Sequence, residues 1–78
     1  MASLRLFGPA REAAGTSSAS VSGHTVAAVM ARAEEMFGEL FSQILATSRV
    51  WVNGEEAGPD TRVSDQDEVA VIPPVSGG

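Results

Sequence analysis

The chain has 78 residues, no cysteine and a formal net charge of −5, with ten acidic side chains and five arginines. This length allows one domain close to the lower limit for a self-sufficient core, and the lack of cysteine excludes disulfides and thiolate metal sites. Five scattered arginines against ten acids argue against nucleic-acid binding. Docking onto basic partner proteins agrees better with this charge, and the alternative is that the charge only keeps the protein soluble.

The first strand is predicted at SLRLF, where Leu4 and Leu6 alternate with Arg5 and Phe7. The following GPAREAAG has an early proline and a closing glycine, which indicates a short helical turn or loop. SSASVS alternates weakly, with Val21 as its one clear core candidate. We interpret it as a strand because it could form a hairpin with the first.

A helix is predicted after Thr25, which is a suitable N-cap, and Gly38 is a favoured residue for its C-terminal stop. Apolar side chains recur between them at steps of three and four, at Val26, Val29, Met30, Ala33 and Phe37. The next stretch, ELFSQILA, predicts a second short helix or turn packed beneath the first. Its apolar residues are Leu40, Phe41, Ile44 and Leu45.

RVWVNGEE predicts a strand that enters an Asn53-Gly54 turn, the strongest short-range hairpin signal in the chain. PDTRVSDQDE is expected to be a loop with Val63 as its apolar anchor. EVAVI is the final strand, and Pro73 and Pro74 end it because proline has no N–H for a strand ladder. The order is therefore strand, strand, helix, strand, strand, with short helical insertions.

These elements predict an α+β, β-grasp fold, in which one main helix packs on one face of a mixed sheet. The first and last strands would run parallel, side by side in the middle of the sheet. The folded domain is expected to span residues 1–72. Residues 73–78 are expected to form an extended, flexible C-terminal tail that ends in Gly77-Gly78.

The same geometry predicts an apolar patch on the sheet face that points away from the helix. If Leu4 and Leu6 face the helix, Phe7 and Ile72 face away at the same end of neighbouring parallel strands, with Trp51 one strand further on. Contiguous exposed apolar surface usually marks a partner site, and tryptophan is frequent at binding hot spots. The alternative is that a loop or the second helix covers these residues.

Few residues suggest chemistry within the domain itself. His24 has no evident relay or metal partners, and Asp65, Asp67 and Glu68 lack the glycine and distal glutamate of a calcium loop. No metal site and no self-contained active site are predicted. The opening residues MASLRLFGPA contain no long apolar run, so neither a signal peptide nor a membrane span is expected, and the cytoplasm is the default location.

The sequence PPVSGG suggests that the working part is the tail. Six extended residues reach about 20 Å, and two glycines without Cβ atoms fit a channel too narrow for other residues. A partner could adenylate the Gly78 carboxylate, and sulfide could then displace AMP to leave a thiocarboxylate. A frayed terminus would also tolerate two glycines. The segment expected to enter a partner comprises Pro73, Pro74, Val75, Ser76, Gly77 and Gly78.

Several stretches resemble the ubiquitin-like sulfur-carrier family (MoaD/ThiS type), and within it the small subunit of molybdopterin synthase. They are HTVAAVMA, VWVNGE, DEVAVIPPVSGG, and LRLFGPAREAAG with Phe7, Arg11, Glu12 and Gly15. The resemblance covers the whole chain. One departure is Gly8-Pro9, where family members often have alanine and a residue other than proline, and this puts only the first loop in doubt.

The resemblance implies that the chain is not an enzyme on its own. Gly78 would cycle between carboxylate, acyl-adenylate and thiocarboxylate, with ATP used by an E1-like adenylyltransferase and no cofactor stably bound. The large subunit of molybdopterin synthase would receive the tail and supply catalytic side chains, in a heterotetramer of two small and two large subunits. Neither nucleic acid nor membrane would be a partner. The expected partner interface comprises Phe7, Arg11, Trp51 and Ile72.

Three alternatives stay open. The same carrier chemistry could serve thiazole synthesis, cysteine synthesis or tRNA thiolation, since the destination depends on the partner. A ubiquitin-like modifier would instead be joined to lysines of other proteins. The third alternative is a plain interaction module in which the two glycines have no chemical role.

Overall fold

Five strands and three helices follow one another in the computed structural model, which describes residues 1–74 of the chain. Their bounds are β1 Ala2–Leu6, α1 Gly8–Ala14, β2 Ser18–Val21, α2 Val26–Phe37, α3 Glu39–Leu45, β3 Arg49–Val52, β4 Glu55–Glu56 and β5 Glu68–Ile72. Within residues 1–74, no helix has the length and apolar character needed to cross a membrane. The tail residues Val75, Ser76, Gly77 and Gly78 lie outside the described residues.

The strands form one mixed sheet in the order β2-β1-β5-β3-β4. β1 and β5 run parallel at its centre, with Leu4 opposite Val69, and the other neighbouring strands are antiparallel. The helices cover one face, so the β-grasp prediction is confirmed. This topology makes the first and last described strands neighbours, although more than sixty positions separate Leu4 from Val69 along the chain.

β4 is an addition to the predicted order, which contained four strands. It is the two-residue return arm of the hairpin, and its Glu55 and Glu56 pair with Val52 and Trp51. The turn has φ angles of 51° at Asn53 and 86° at Gly54. A tight two-residue hairpin turn of this kind needs a positive φ at both central residues, which is why Asn-Gly is favoured there. β4 contains no apolar residue, so the sequence has no alternating apolar pattern from which this strand could be predicted.

α2 begins and ends at the predicted residues. The Thr25 hydroxyl accepts the Ala28 N–H at 3.1 Å, which satisfies one of the unpaired donors of the first turn. At the other end, Gly38 has a φ of 91° and donates its N–H to the carbonyl of Glu34. The buried side of the helix consists of Val26, Val29, Met30 and Ala33.

α3 packs against α1 and α2 rather than lying on the free side of the sheet. Its Phe41 is fully buried, and the ring of Phe41 lies 5.2 Å from that of Phe37 in a tilted arrangement. The expectation that Leu40 packs with the other apolar residues of this helix is wrong, because the residue is 61% exposed. Successive helical residues point about 100° apart, so burial of Phe41 turns Leu40 outward.

The core lies between the sheet and the three helices. Its buried members are Ala2, Leu4, Leu6, Ala10, Val21, Val26, Val29, Met30, Ala33, Phe41, Val63, Val69 and Val71. Val63 is the expected anchor of the long loop before β5, and within residues 1–74 no charged side chain is buried. Burial of this apolar surface is the main stabilising term in a domain of this size.

Candidate functional site

The face of the sheet that points away from the helices, called the open face below, contains the alternate residues of the three central strands. Arg5, Ala70 and Trp51 lie side by side across it, because the register pairs Arg5 with Ala70 and Ala70 with Trp51. On the covered face, the neighbouring Leu4 and Val71 are fully buried. The two-residue period of a strand thus places polar, small and aromatic side chains together on the open face.

An apolar patch occupies one end of the open face. Ile72 is 38% exposed and lies opposite Arg49 on β3, and Phe7 is 45% exposed. The parallel pairing ends with Leu6 opposite Val71, and Phe7 follows with an extended backbone, so its side chain points to the face opposite that of Leu6. We call Phe7, Trp51, Ala70 and Ile72 the open-face patch. α3 packs against α1 and α2, and Phe7 and Ile72 are exposed while Trp51 and Ala70 are partly buried.

Ion pairs border the patch on two sides. Arg5 lies 3.4 Å from Glu68, and Arg49 lies 2.5 Å from Glu56. All four side chains are about half exposed or more, so each pair stabilises the fold only slightly. An apolar centre with a polar, charged rim is the arrangement typical of a protein interface.

The expected interface residue Arg11 is positioned by the start of α1. Phe7 is the N-cap residue of this helix, and its carbonyl accepts the Ala10 and Arg11 N–H groups at 3.2 and 3.4 Å. Arg11 is exposed, and within residues 1–74 its side chain makes no hydrogen bond or ion pair. The structure thus places Phe7, Trp51 and Ile72 on one surface and Arg11 one helical turn beyond Phe7. Their role in binding stays a prediction.

The exit of the chain from the sheet lies beside the patch. β5 ends at Ile72, between β1 on one side and β3 on the other, and Pro73 and Pro74 follow without strand pairing. Proline has no N–H to extend the ladder and disfavours helical geometry in the residue before it. The described chain therefore leaves the domain at the patch, so a partner that engaged the following residues would also meet this surface.

The loop before β5 contains two aspartates whose carboxylates bind other groups of the same domain. The ammonium group of Met1 lies 2.7 Å from Asp65 and lowers the pKa of that carboxyl. The pKa of Asp67 is lowered by hydrogen bonds from the Asn53 side chain and from the backbone of Ser64. Among residues 1–74, no group of three or more potential ligands is placed to hold a metal ion.

Sequence reasoning missed the second role of Asn53. Its side-chain amide donates to Asp67 Oδ1 at 2.9 Å, and its side-chain oxygen accepts the Glu68 N–H at 2.9 Å. The turn residue therefore connects the β3–β4 hairpin to the start of β5. Nothing local in the sequence indicates this contact, because Asn53 and Asp67 are fourteen positions apart and meet only when β3 pairs with β5.

Comparison with known proteins gives one family and one fold. Residues 4–78 match the model of the ThiS family. The small archaeal modifier protein 1 from Methanosarcina acetivorans has a similar structure, with 29% identity, a TM-score of 0.87, and coverage of 99% of this chain and 95% of that chain. No curated protein sequence is significantly similar to this chain.

Two solved complexes contain the same fold. The BexX/CysO complex from Amycolatopsis orientalis matches with a TM-score of 0.85 at 21% identity, over 100% of both chains. The complex of subunits 1 and 2 of the molybdopterin-converting factor from Helicobacter pylori matches with a TM-score of 0.75 at 22% identity, over 99% of this chain and 97% of that chain. At this level of identity, the two matches show the fold alone.

Proposed function

The chain belongs to the ThiS family of ubiquitin-like sulfur carriers, and we propose that it carries sulfur for molybdopterin synthesis as the small subunit of molybdopterin synthase. The observation that carries the proposal is the family match through residue 78, together with a fold whose last strand ends beside an exposed apolar patch. The molybdopterin route further rests on the resemblance of DEVAVIPPVSGG and the Phe7–Glu12 stretch to that subunit.

The proposed chemistry takes place at Gly78. A carboxylate oxygen attacks the α-phosphate of ATP on an E1-like enzyme, and pyrophosphate leaves. A sulfur nucleophile then attacks the acyl carbon and AMP leaves, so a carbon–sulfur bond replaces a carbon–oxygen bond. The thiocarboxylate passes its sulfur to the pterin precursor, and water restores the carboxylate. The chain is a co-substrate in this scheme, and it needs no stably bound cofactor.

The proposed role of the folded domain is to present the tail. Pro73 and Pro74 direct the chain away from the sheet, and Gly77 and Gly78 suit a narrow channel because they lack side chains. The open-face patch, with Arg11 at its side, would contact the large subunit of molybdopterin synthase and the adenylating enzyme. The solved complexes with a protein partner support docking of this fold onto another protein. We expect two small and two large subunits in the active assembly.

The decisive experiment is intact mass spectrometry of the chain after incubation with its adenylating enzyme, ATP and a sulfide donor. We expect a mass increase equal to the replacement of one oxygen by sulfur, and loss of that increase when the large subunit and the pterin precursor are added. A chain without Gly78 is the matched control and should keep its mass. A wild-type chain that is never converted, or that keeps its sulfur in the presence of both, would contradict the proposal.

A protein modifier is the second candidate, because the similar structure at 29% identity is named a modifier. In that function the activated Gly78 would be attacked by a lysine amine of a target, and an isopeptide bond would form. The two functions differ in the product that accumulates. Denaturing electrophoresis of cell extracts that express a tagged chain would show a ladder of larger species for a modifier, and a single species for a carrier.

A further inference from the structure

The Asn53-Gly54 turn contains two groups that can react with each other. In an Asn-Gly sequence, the backbone nitrogen of the glycine can attack the side-chain amide carbon of the asparagine, because glycine has no side chain to hinder the approach. Asn53 is the only asparagine of the chain, so this reaction is confined to this turn. Both residues are exposed, so water, the other reactant, reaches them.

The attacking group, the Gly54 nitrogen, has no other contact of its own. Gly54 occupies the second central position of the turn with a φ of 86°, and within residues 1–74 its N–H donates no hydrogen bond. The hairpin is closed instead by the pairing of Val52 with Glu55. The fold therefore does not protect the turn by engaging this nitrogen.

The side-chain amide of Asn53, in contrast, is held at both ends by the residues at the start of β5. Its oxygen accepts the Glu68 N–H at 2.9 Å, and its nitrogen donates to Asp67 Oδ1 at 2.9 Å. The backbone N–H of Asn53 also donates to the Glu68 carbonyl at 2.9 Å. Because the amide carbon lies between its oxygen and its nitrogen, it can turn toward Gly54 only when both side-chain bonds are released.

The acceptor Asp67 is itself fixed in position. Its second carboxylate oxygen accepts the Ser64 N–H at 2.8 Å, and its own N–H donates to the Ser64 carbonyl at 3.0 Å. The hydrogen bonds from Asn53 and Ser64 lower the pKa of Asp67, so its carboxylate is ionised at neutral pH. A hydrogen bond to an ionised acceptor is stronger than one between neutral groups, so Asp67 restrains the Asn53 amide firmly.

We propose that Asn53 is a deamidation site that the fold protects, and that the hydrogen bond to Asp67 limits the rate of the reaction. The Gly54 nitrogen loses its proton to water and bonds to the Asn53 side-chain carbon. The bond from that carbon to Nδ2 breaks, and ammonia leaves after Nδ2 regains a proton. Water then adds to either carbonyl of the cyclic imide and opens it, which leaves an aspartate or an isoaspartate at position 53. This hydrolysis is independent of the proposed function.

The product would weaken the contact that protects the site. A carboxylate at position 53 would face the Asp67 carboxylate across the 2.9 Å that the amide hydrogen bond now spans, and two like charges so close together repel each other. An isoaspartate would also add a carbon atom to the backbone between β3 and β4. Because β3 contains Trp51, deamidation would disturb the strand that carries part of the open-face patch.

The test follows the intact mass of the full chain during incubation at mildly alkaline pH, with peptide mapping to locate the change. The wild type is compared with the same chain unfolded in guanidinium chloride, with folded Asp67→Ala, and with Gln66→Ala as the matched control. We expect the unfolded chain and Asp67→Ala each to deamidate about tenfold faster than the folded wild type, or more, because a charge-assisted hydrogen bond is lost. Gln66→Ala should react like the wild type.

Each comparison can overturn one part of the inference. Absence of deamidation in the unfolded chain would remove the site, equal rates of folded and unfolded wild type would remove the protection, and a wild-type rate in folded Asp67→Ala would remove the role of Asp67. The first two comparisons do not depend on whether Asp67→Ala folds.

A second measurement concerns the reaction product and uses urea midpoints near neutral pH. Asn53→Asp should be less stable than the wild type, because it introduces the carboxylate pair. Asp67→Asn in the same chain should restore stability, because an amide at position 67 can donate to the carboxylate at position 53. Wild-type stability of Asn53→Asp, or no recovery in the double variant, would contradict the expected repulsion between the two carboxylates.

Discussion

The two faces of the central sheet are built from the same strands and differ in what their side chains contact. On the helix side, Leu4, Val69 and Val71 are fully buried. On the open face, their immediate neighbours Arg5 and Ala70 lie beside Trp51, with Arg5 exposed and the other two partly buried. Because alternate residues belong to opposite faces, substitutions one position apart separate the stability of the domain from its interactions. The following predictions, from largest to smallest effect, use this comparison.

Deletion of Gly78 should abolish sulfur transfer and leave both faces of the sheet unchanged. The expected loss is complete, because the shortened chain ends in the Gly77 carboxylate, one residue short of the position at which the proposed chemistry occurs. Thiocarboxylate formation by mass spectrometry and the thermal unfolding midpoint measure the two properties separately. A variant that still accepts sulfur, or one that no longer folds, would contradict the prediction that Gly78 is needed for sulfur transfer and not for folding.

Leu4→Ala should destabilise the domain strongly. The side chain is fully buried, and loss of a buried leucine side chain typically lowers the free energy of unfolding by about 2–5 kcal/mol. Urea denaturation measures this loss, with Ser3→Ala on the opposite face as the control that should change stability little. Equal stability of the two variants would show that the two faces of β1 are energetically alike, contrary to the burial pattern.

Trp51→Ala and Ile72→Asp should act on binding rather than on folding. Both side chains belong to the open-face patch, and an aromatic or aliphatic residue at the centre of an interface often accounts for much of the affinity. We expect each variant to weaken binding to the large subunit by more than about tenfold, with a smaller effect on unfolding than that of Leu4→Ala. Calorimetric affinities equal to that of the wild type would remove the patch from the interface.

The sequence predicted the parts of the fold that depend on local pattern. EVAVI followed by two prolines gave the bounds of β5, and Thr25 and Gly38 gave those of α2, because caps and chain breakers act on adjacent residues. The parallel pairing of β1 and β5 at the centre of the sheet was expected from the same elements and is confirmed. The tail positions Val75 to Gly78 lie outside the described residues, and their role stays a prediction.

The features that were missed depend on topology. β4 has two glutamates and no apolar period, so only its pairing with β3 reveals it as a strand. The Asn53–Asp67 hydrogen bond joins residues that are distant in the chain. The position of β2 at the sheet edge also follows from the topology, and the residues SASV by themselves do not indicate which strand lies there. Local propensity does not contain this information.

Asp67→Ala should have the smallest effect, and it should depend on pH. Hydrogen bonds from Asn53 and Ser64 lower the pKa of Asp67 below its ordinary value of 3.8. A carboxyl with a lowered pKa in the folded state stabilises the fold above its unfolded pKa, and this contribution is lost as the pH falls through the lowered folded value. The wild type should therefore lose more stability than Asp67→Ala on acidification below 3.8.

Urea midpoints near neutral pH and below the ordinary carboxyl pKa would measure this difference, with Gln66→Ala as the control. Gln66 is an exposed neighbour in the same turn and does not titrate, so its variant should follow the wild-type acid dependence. Asp67 is only partly buried, so the expected difference is small beside the loss of a core side chain. Identical acid dependence of wild type and Asp67→Ala would show that the Asn53–Asp67 hydrogen bond does not distinguish the folded from the unfolded chain.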